Sequence, residues 1–255
     1  MPTSVQVEIH GWNEMEEAMN SPRVSVHKLL TTTKEMSRAQ EFAKRHGLRP
    51  HQVMVDDDSR KHHSKKNHRK DKEGMRQRST RLLVELGVHR SLEEFWTGKE
   101  KKTGFALALD QIKDPQNFGA LMRSAHFFGA EFLLYPKDHS SPITSTVVRA
   151  SAGAVFSLPL IEVSNLSRSM DEFREYGGYL LGLDGESNDI FAADRYAADL
   201  VLLVLGSEGQ GMRHLTQKKC DFLFKLTSFA GRDSLNVSVA GALAMYQIAM
   251  SKKQG

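Results

Sequence analysis

The most restrictive feature of this chain is Leu200–Leu205, an unbroken aliphatic run that stops at Gly206 and leads into Gly206-Ser-Glu-Gly-Gln-Gly211. A run of strand length with no polar position predicts a strand buried on both faces, as in parallel sheets covered by helices. A turn directly after it with Gly206, Gly209 and Gly211 can take positive φ and let a ligand approach the backbone. Further on, Asp221–Leu226 reads as a second short strand. Val237–Met250 reads as a helix with Ser234 or Asn236 at its N-cap. Strand ends and a helix start therefore converge, and in open α/β sheets ligands bind at such places.

The alternation upstream agrees. Strand-like 104–109 precedes helix-like 118–128, then 131–135 precedes 144–152, 155–161 precedes 166–176, and 179–183 follows. This pattern predicts an α/β fold with a mainly parallel sheet and helices on both faces. Its first turn, Asp110-Gln-Ile-Lys-Asp-Pro-Gln-Asn-Phe-Gly119, runs into a helix that carries Arg123. By themselves, Asn117 reads as a helix cap, Arg123 as a surface residue and Glu208 as a hydrogen-bonding residue of its turn.

Ahead of this lies a small α/β module, with helical spacing over 11–19 and 37–46 and strand-like 24–30 and 52–55, ended by Asp56-Asp-Asp58. Residues 81–96 form an amphipathic pattern (Leu82, Leu83, Leu86, Leu92, Phe95, Trp96), and 98–103 reads as a hinge. The expected division is a module over 1–58, a basic arm and linker over 59–103, and a second domain over 104–255.

Charge is unevenly placed. Residues 1–100 hold 19 Lys and Arg against 15 Asp and Glu, while 101–255 balance at 16 each, so the excess is N-terminal. Residues 59–80 alone hold nine basic side chains, among them Lys65, Lys66, Arg69 and Lys70, with three His and two acids. Such density predicts a mobile arm whose partner is a polyanion, since neutralising phosphates supplies affinity independent of base sequence.

Several chemistries are disfavoured. The single Cys220 excludes an internal disulfide or a cysteine-rich zinc site, and His126, His139 and His214 lack metal spacing. Ser207 is not in the nucleophile-elbow arrangement. The glycine order departs from the dinucleotide fingerprint, which argues against a nicotinamide enzyme. No apolar stretch reaches the ~18 residues of a membrane span, and Met1–Asn20 lacks an apolar signal core. A cytoplasmic location is expected, with a mitochondrial one as the alternative.

Three segments together resemble the SpoU or TrmH family of RNA ribose 2′-O-methyltransferases, within the SPOUT superfamily. They are Asp114-Pro-Gln-Asn-Phe-Gly-Ala-Leu-Met-Arg123-Ser-Ala with Phe128-Gly-Ala130, Leu203-Val-Leu-Gly-Ser-Glu-Gly-Gln-Gly211-Met, and Ser234-Leu-Asn-Val-Ser-Val-Ala240. The first hundred residues look like the substrate-binding domain of the large-subunit rRNA branch, from which the basic insertion is a departure.

The resemblance implies methyl transfer from S-adenosylmethionine, without metal, to a ribose 2′-hydroxyl, most simply on a guanosine of large-subunit rRNA. It implies donor contacts at Leu205, Gly206, Gly211, Leu226 and Leu235, and an active site of Arg123, Asn117, Glu208, Ser234 and Asn236. It also implies a C-terminal trefoil knot and a homodimer, with a heterodimer of related chains as the alternative. RNA contact is expected at Arg149 and the arm. The family account makes the arginine a base. A charged guanidinium has five donors and no acceptor, so orienting a phosphate and stabilising negative charge is the preferred role for Arg123. A tRNA methyltransferase and a non-catalytic RNA-binding ribosome-assembly factor are the competing readings.

Overall fold

A computed structural model of the chain describes residues 3–56, 80–97, 103–190, 199–229 and 235–254. It divides into two compact units, Ser4–Gly87 and the chain from Val88 onward.

The first unit contains β1 (Thr3–His10), α1 (Trp12–Met19), β2 (Val24–Thr31), α2 (Met36–Arg45), β3 (Val53–Val55) and β4 (Arg81–Val88), with sheet order β1-β4-β2-β3. β2 runs parallel to β3 and antiparallel to β4. Two of these strands depart from the expectation. Arg81–Val88, read as the start of an amphipathic stretch in the linker, is an interior strand of this sheet. Its burial alternates residue by residue through Leu82, Val84, Leu86 and Val88, so the period is 2; the adjacent Leu83 obscures it. β1 buries Val7 and Ile9 by the same alternation. The arm's presumed last residue, Thr80, is buried and belongs to the fold.

The second unit begins with α3 (Leu92–Trp96) and β5 (Gly104–Asp110), followed by α4 (Pro115–Phe127), β6 (Leu133–Pro136), α5 (Ser145–Ala150), α6 (Ala154–Ser157) and β7 (Leu160–Val163). It continues with α7 (Leu166–Glu175), β8 (Tyr179–Leu183), β9 (Leu200–Gly206), α8 (His214–Lys219), β10 (Phe222–Phe224) and α9 (Val237–Gln254). The sheet order is β10-β8-β9-β5-β6-β7, and every pairing is parallel. Residues 155–161, expected as one strand, split into α6 and β7. Ala152 and Gly153, both with positive φ, lead into α6, and Leu158-Pro159 separates it from β7.

The aliphatic run earns its place at β9. Every residue of the strand is buried. Leu200, Leu202 and Val204 pack with Phe95 and Trp96 of α3 and Met170 and Phe173 of α7. Alternate residues of a strand face opposite sides, so Val201, Leu203 and Leu205 face the layer of α4 and α9. Gly241 marks that contact, since a Cβ there would lie 2.6 Å from both Leu121 and Leu205. Burial on both faces explains why no polar residue interrupts the strand.

Candidate active site

β5 and β9 lie side by side with Asp110 paired to Gly206 at their carboxyl ends. Beyond those ends the chain opens into two loops. A pocket of about 340 Å³ between them is lined by Gln111, Ile112, Lys113, Asp114, Asn117, Ser207, Glu208, Gln210 and Val237. The wall after β5 starts at Gln111, a non-glycine residue at φ 63°, and runs to the start of α4. There Asp114 is the cap, accepting a 2.8 Å hydrogen bond from the Asn117 amide N–H, with Pro115 in the first helical position. Asn117, read alone as a cap, is thus released from that duty.

The wall after β9 is a closed turn. Ser207 N donates to Gly211 O at 2.9 Å and Gly211 N donates to Ser207 O at 2.8 Å. Gly209 and Gly211 sit at φ 82° and 66°, as expected, but Gly206 is not in the left-handed region. Its requirement is steric. A Cβ on Gly206 would lie 2.0 Å from Gly211 C and Met212 N, so the turn folds back over the strand end with no room for a side chain. At Gly209 and Gly211 the Cβ direction points into open space instead.

Three of the expected residues meet at this mouth. Asn236 Nδ2 donates to Asn117 Oδ1 at 3.0 Å and lies 3.4 Å from Glu208 Oε2. Asn117 Nδ2 donates to Glu208 Oε2 at 3.3 Å. Asn236 also caps α9, accepting from Ser238 N at 2.9 Å and from Ser238 Oγ at 2.5 Å. One side chain therefore starts the last helix and joins both loop walls.

The other residues are placed differently. Arg123 lies on the exposed face of α4, outside the pocket lining and without an ion-pair partner among the described residues. Arg149, on α5, is exposed too. Leu205 is buried beneath α9, so only its backbone can face a ligand. Leu226 is half-buried just past β10, and Leu235 is 52% exposed before α9. Ser234, Lys65, Lys66, Arg69 and Lys70 lie outside the described residues.

One pair escaped the sequence reading. Asp110, fully buried at the end of β5, accepts hydrogen bonds from Arg213 N and Arg213 Nε, both at 2.8 Å. A charged residue ending an otherwise apolar strand was the available signal. Cys220 offers no nucleophile, because burial, reinforced by the Asp221 carboxylate, pushes its thiol up to about 12. Among the described residues no cluster of three or more His, Cys, Asp or Glu could hold a metal.

A doubly covered parallel sheet with a polar pocket at the carboxyl ends of two central strands defines an α/β ligand-binding protein. Residues 104–246, more than half of the chain, match the model of the SpoU rRNA methylase family, and the chain belongs to that family. It is 39% identical over 159 residues to YacO of Bacillus subtilis (strain 168), assigned to the TrmH family of tRNA/rRNA methyltransferases. That match spans 62% of this chain and 64% of the relative. The SpoU methyltransferase AviRb of Streptomyces viridochromogenes, solved in complex with the cofactor AdoMet, shares the fold with a TM-score of 0.76 at 21% identity. The likeness covers 98% of this chain and 92% of that one. A crystal structure of an RNA 2′-O ribose methyltransferase superposes with a TM-score of 0.66 at 20% identity, covering 98% of this chain and 90% of the other.

Proposed function

We propose that this protein transfers a methyl group from S-adenosylmethionine to a ribose 2′-hydroxyl of RNA, with a guanosine of large-subunit rRNA as the target. The observation that carries the reading is the Asn117–Glu208–Asn236 group, which joins the three family segments at the carboxyl ends of β5 and β9. The residues present fit the donor. Gly209 and Gly211 leave open space over exposed backbone, and Leu226 and Leu235 offer apolar surface for the nucleoside.

When bound, the donor supplies a methyl carbon on a cationic sulfur. In the transfer the ribose oxygen would bond to that carbon while the carbon–sulfur bond breaks, the neutral thioether S-adenosylhomocysteine would leave, and the hydroxyl proton would pass to water. Asn117, Glu208 and Asn236 hold the two loop walls in fixed relation, which limits the reorganisation needed to align the groups. Arg123, with no described partner to compete for its guanidinium, orients the phosphate beside the target ribose and stabilises developing negative charge. The arm at 59–79 supplies further phosphate contacts, and Arg149 adds one on α5.

We infer a homodimer as well. Val239, Leu243, Tyr246 and Met250 form an exposed apolar stripe on α9, with Phe127 of α4 80% exposed. Such a surface on a soluble chain is covered by a partner; mixed tagged chains distinguish self-association from pairing with a related chain. The knot belongs to the same reading, supported by a chain that leaves β9 for the edge strand β10 and returns to pack α9 over β9.

The test is to map ribose methylation across total RNA from cells with and without the gene, alongside calorimetry of S-adenosylmethionine on the purified protein. A single guanosine in large-subunit rRNA that loses its methyl in the deletion supports the reading. A tRNA position redirects the substrate. Absence of donor binding favours the non-catalytic assembly factor.

A further inference from the structure

We propose that Asp110 and Arg213 form a clasp that fixes the spacing of the two pocket walls and thereby sets affinity for the methyl donor. The inference rests on the donor-binding reading above. Asp110 has no exposed surface, yet it carries a carboxylate at the end of a strand whose preceding residues, Phe105–Leu109, are all buried hydrophobics. Burying a charge is costly unless it is paired and hydrogen-bonded. Arg213 meets both demands. Its backbone N–H donates to one carboxylate oxygen at 2.8 Å, while Nε and Nη2 both lie 2.8 Å from the other.

Position gives the pair its role. Asp110 is the root of one wall, immediately before Gln111, and Gln111 leaves the strand in a left-handed conformation unusual for a non-glycine residue. Arg213 is the root of the other. The turn from Ser207 to Gly211 is closed by its own hydrogen bonds, then buried Met212 anchors it, and Arg213 follows. Gly206, which begins that turn, is the register partner of Asp110. Both walls are thus tied at one carboxylate, directly beneath the pocket, although neither Asp110 nor Arg213 lines it. They are positioning residues: lying outside the pocket lining, they act through the backbone of 111–117 and 207–211.

Two variants of the full-length protein test this, Arg213→Lys and the paired Asp110→Asn/Arg213→Gln. The first keeps the charge and loses the planar fork. The second removes the buried carboxylate together with its partner, so that folding is preserved should the first variant fail to fold. Each is assayed for calorimetric Kd of S-adenosylmethionine, for donor KM and kcat on RNA, and for thermal unfolding. In the folded variants donor Kd and KM rise together by about tenfold, the scale of one charged hydrogen bond. Over the same comparison kcat at saturating donor changes by less than about threefold. A folded variant that binds donor as tightly as wild type, or one that loses kcat at unchanged donor affinity, overturns the clasp. A wild-type protein that binds no donor overturns the function reading instead, and the clasp falls with it.

Discussion

The side-chain amide of Asn236 donates to the side-chain carbonyl of Asn117 at 3.0 Å, joining the start of the last helix to the start of the first helix after β5. Both residues sit at helix beginnings, where backbone N–H groups are unpaired and polar side chains gather. At α4 the cap is Asp114, which leaves the Asn117 amide free to reach Glu208 and Asn236. At α9 one residue does both jobs, because Asn Oδ1 accepts from the helix while Nδ2 donates away from it.

That division of labour separates stability from activity. Asn236→Ser keeps a capping oxygen but loses the amide group that reaches Asn117 and Glu208, so the unfolding midpoint stays near wild type while methyl transfer falls by about a hundredfold. Asn236→Ala loses both and destabilises the protein by about 1 kcal/mol in addition. Denaturant melts paired with single-turnover assays check the split. Wild-type turnover in Asn236→Ser would remove the residue from the site.

How much of this was visible beforehand follows from local physics. β9 and its turn were legible because burial on both faces leaves an unbroken aliphatic run, and because the turn uses glycine where left-handed backbone is needed. β4 was not: Leu83 beside Leu82 obscures a period of 2, and the basic residues before it suggest a continuing linker. The Asp110–Arg213 pair joins residues 103 positions apart, a distance over which no periodicity or spacing carries information. Asn117 was legible only as a polar residue near a helix start; its release by Asp114 is a fact of geometry. For Gly206 the expected reason, positive φ, gives way to a steric one.

The steric reason changes what a substitution there does. Gly206→Ala places a Cβ 2.0 Å from backbone atoms of Gly211 and Met212, which cannot swing aside as a flexible side chain would. The turn must move or the strand end must. Expected are a loss of about 1–3 kcal/mol in stability, typical of overpacking, and failure to bind S-adenosylmethionine by calorimetry. Unchanged stability and affinity would show that the turn is not held in this position.

Arg123 has the opposite profile. It is exposed on α4, with no described ion-pair partner, so Arg123→Ala shifts stability by no more than about 0.5 kcal/mol. If it orients a phosphate and stabilises negative charge, the same variant loses at least about a hundredfold in turnover while donor affinity is retained. Arg123→Lys keeps the charge without the fork and recovers part of that loss. Full turnover in Arg123→Ala refutes the role.

A deletion within the arm must respect Thr80. Removing 60–76 takes out eight of the basic residues and leaves Thr80 in place. RNA affinity should fall, and the slope of log affinity against log salt should flatten as fewer phosphates are neutralised. An unchanged slope from filter binding at several salt concentrations would assign the phosphate contacts elsewhere.

Thr80 itself supports a pH prediction for the first unit. Its Oγ1 and backbone N–H both donate to Glu35 Oε2, at 2.6 and 3.0 Å. The hydroxyl bond is the main cause holding the Glu35 carboxyl below its ordinary value, against partial burial that pushes the other way. A carboxyl whose folded-state pKa is depressed contributes stability above its unfolded pKa and loses it as pH falls through the folded value. Thr80→Val should therefore destabilise the first unit more at pH 7 than at about pH 3, below the ordinary glutamate pKa of about 4.3. Trp12, whose ring lies 4.5 Å from the Arg38 guanidinium, reports on this unit once Trp96 is replaced by Phe. Urea melts followed by Trp12 fluorescence in the Trp96→Phe background give the comparison. A destabilisation that is the same at both pH values would mean that Thr80 acts through its 2.8 Å contact with Thr31, not through the Glu35 charge.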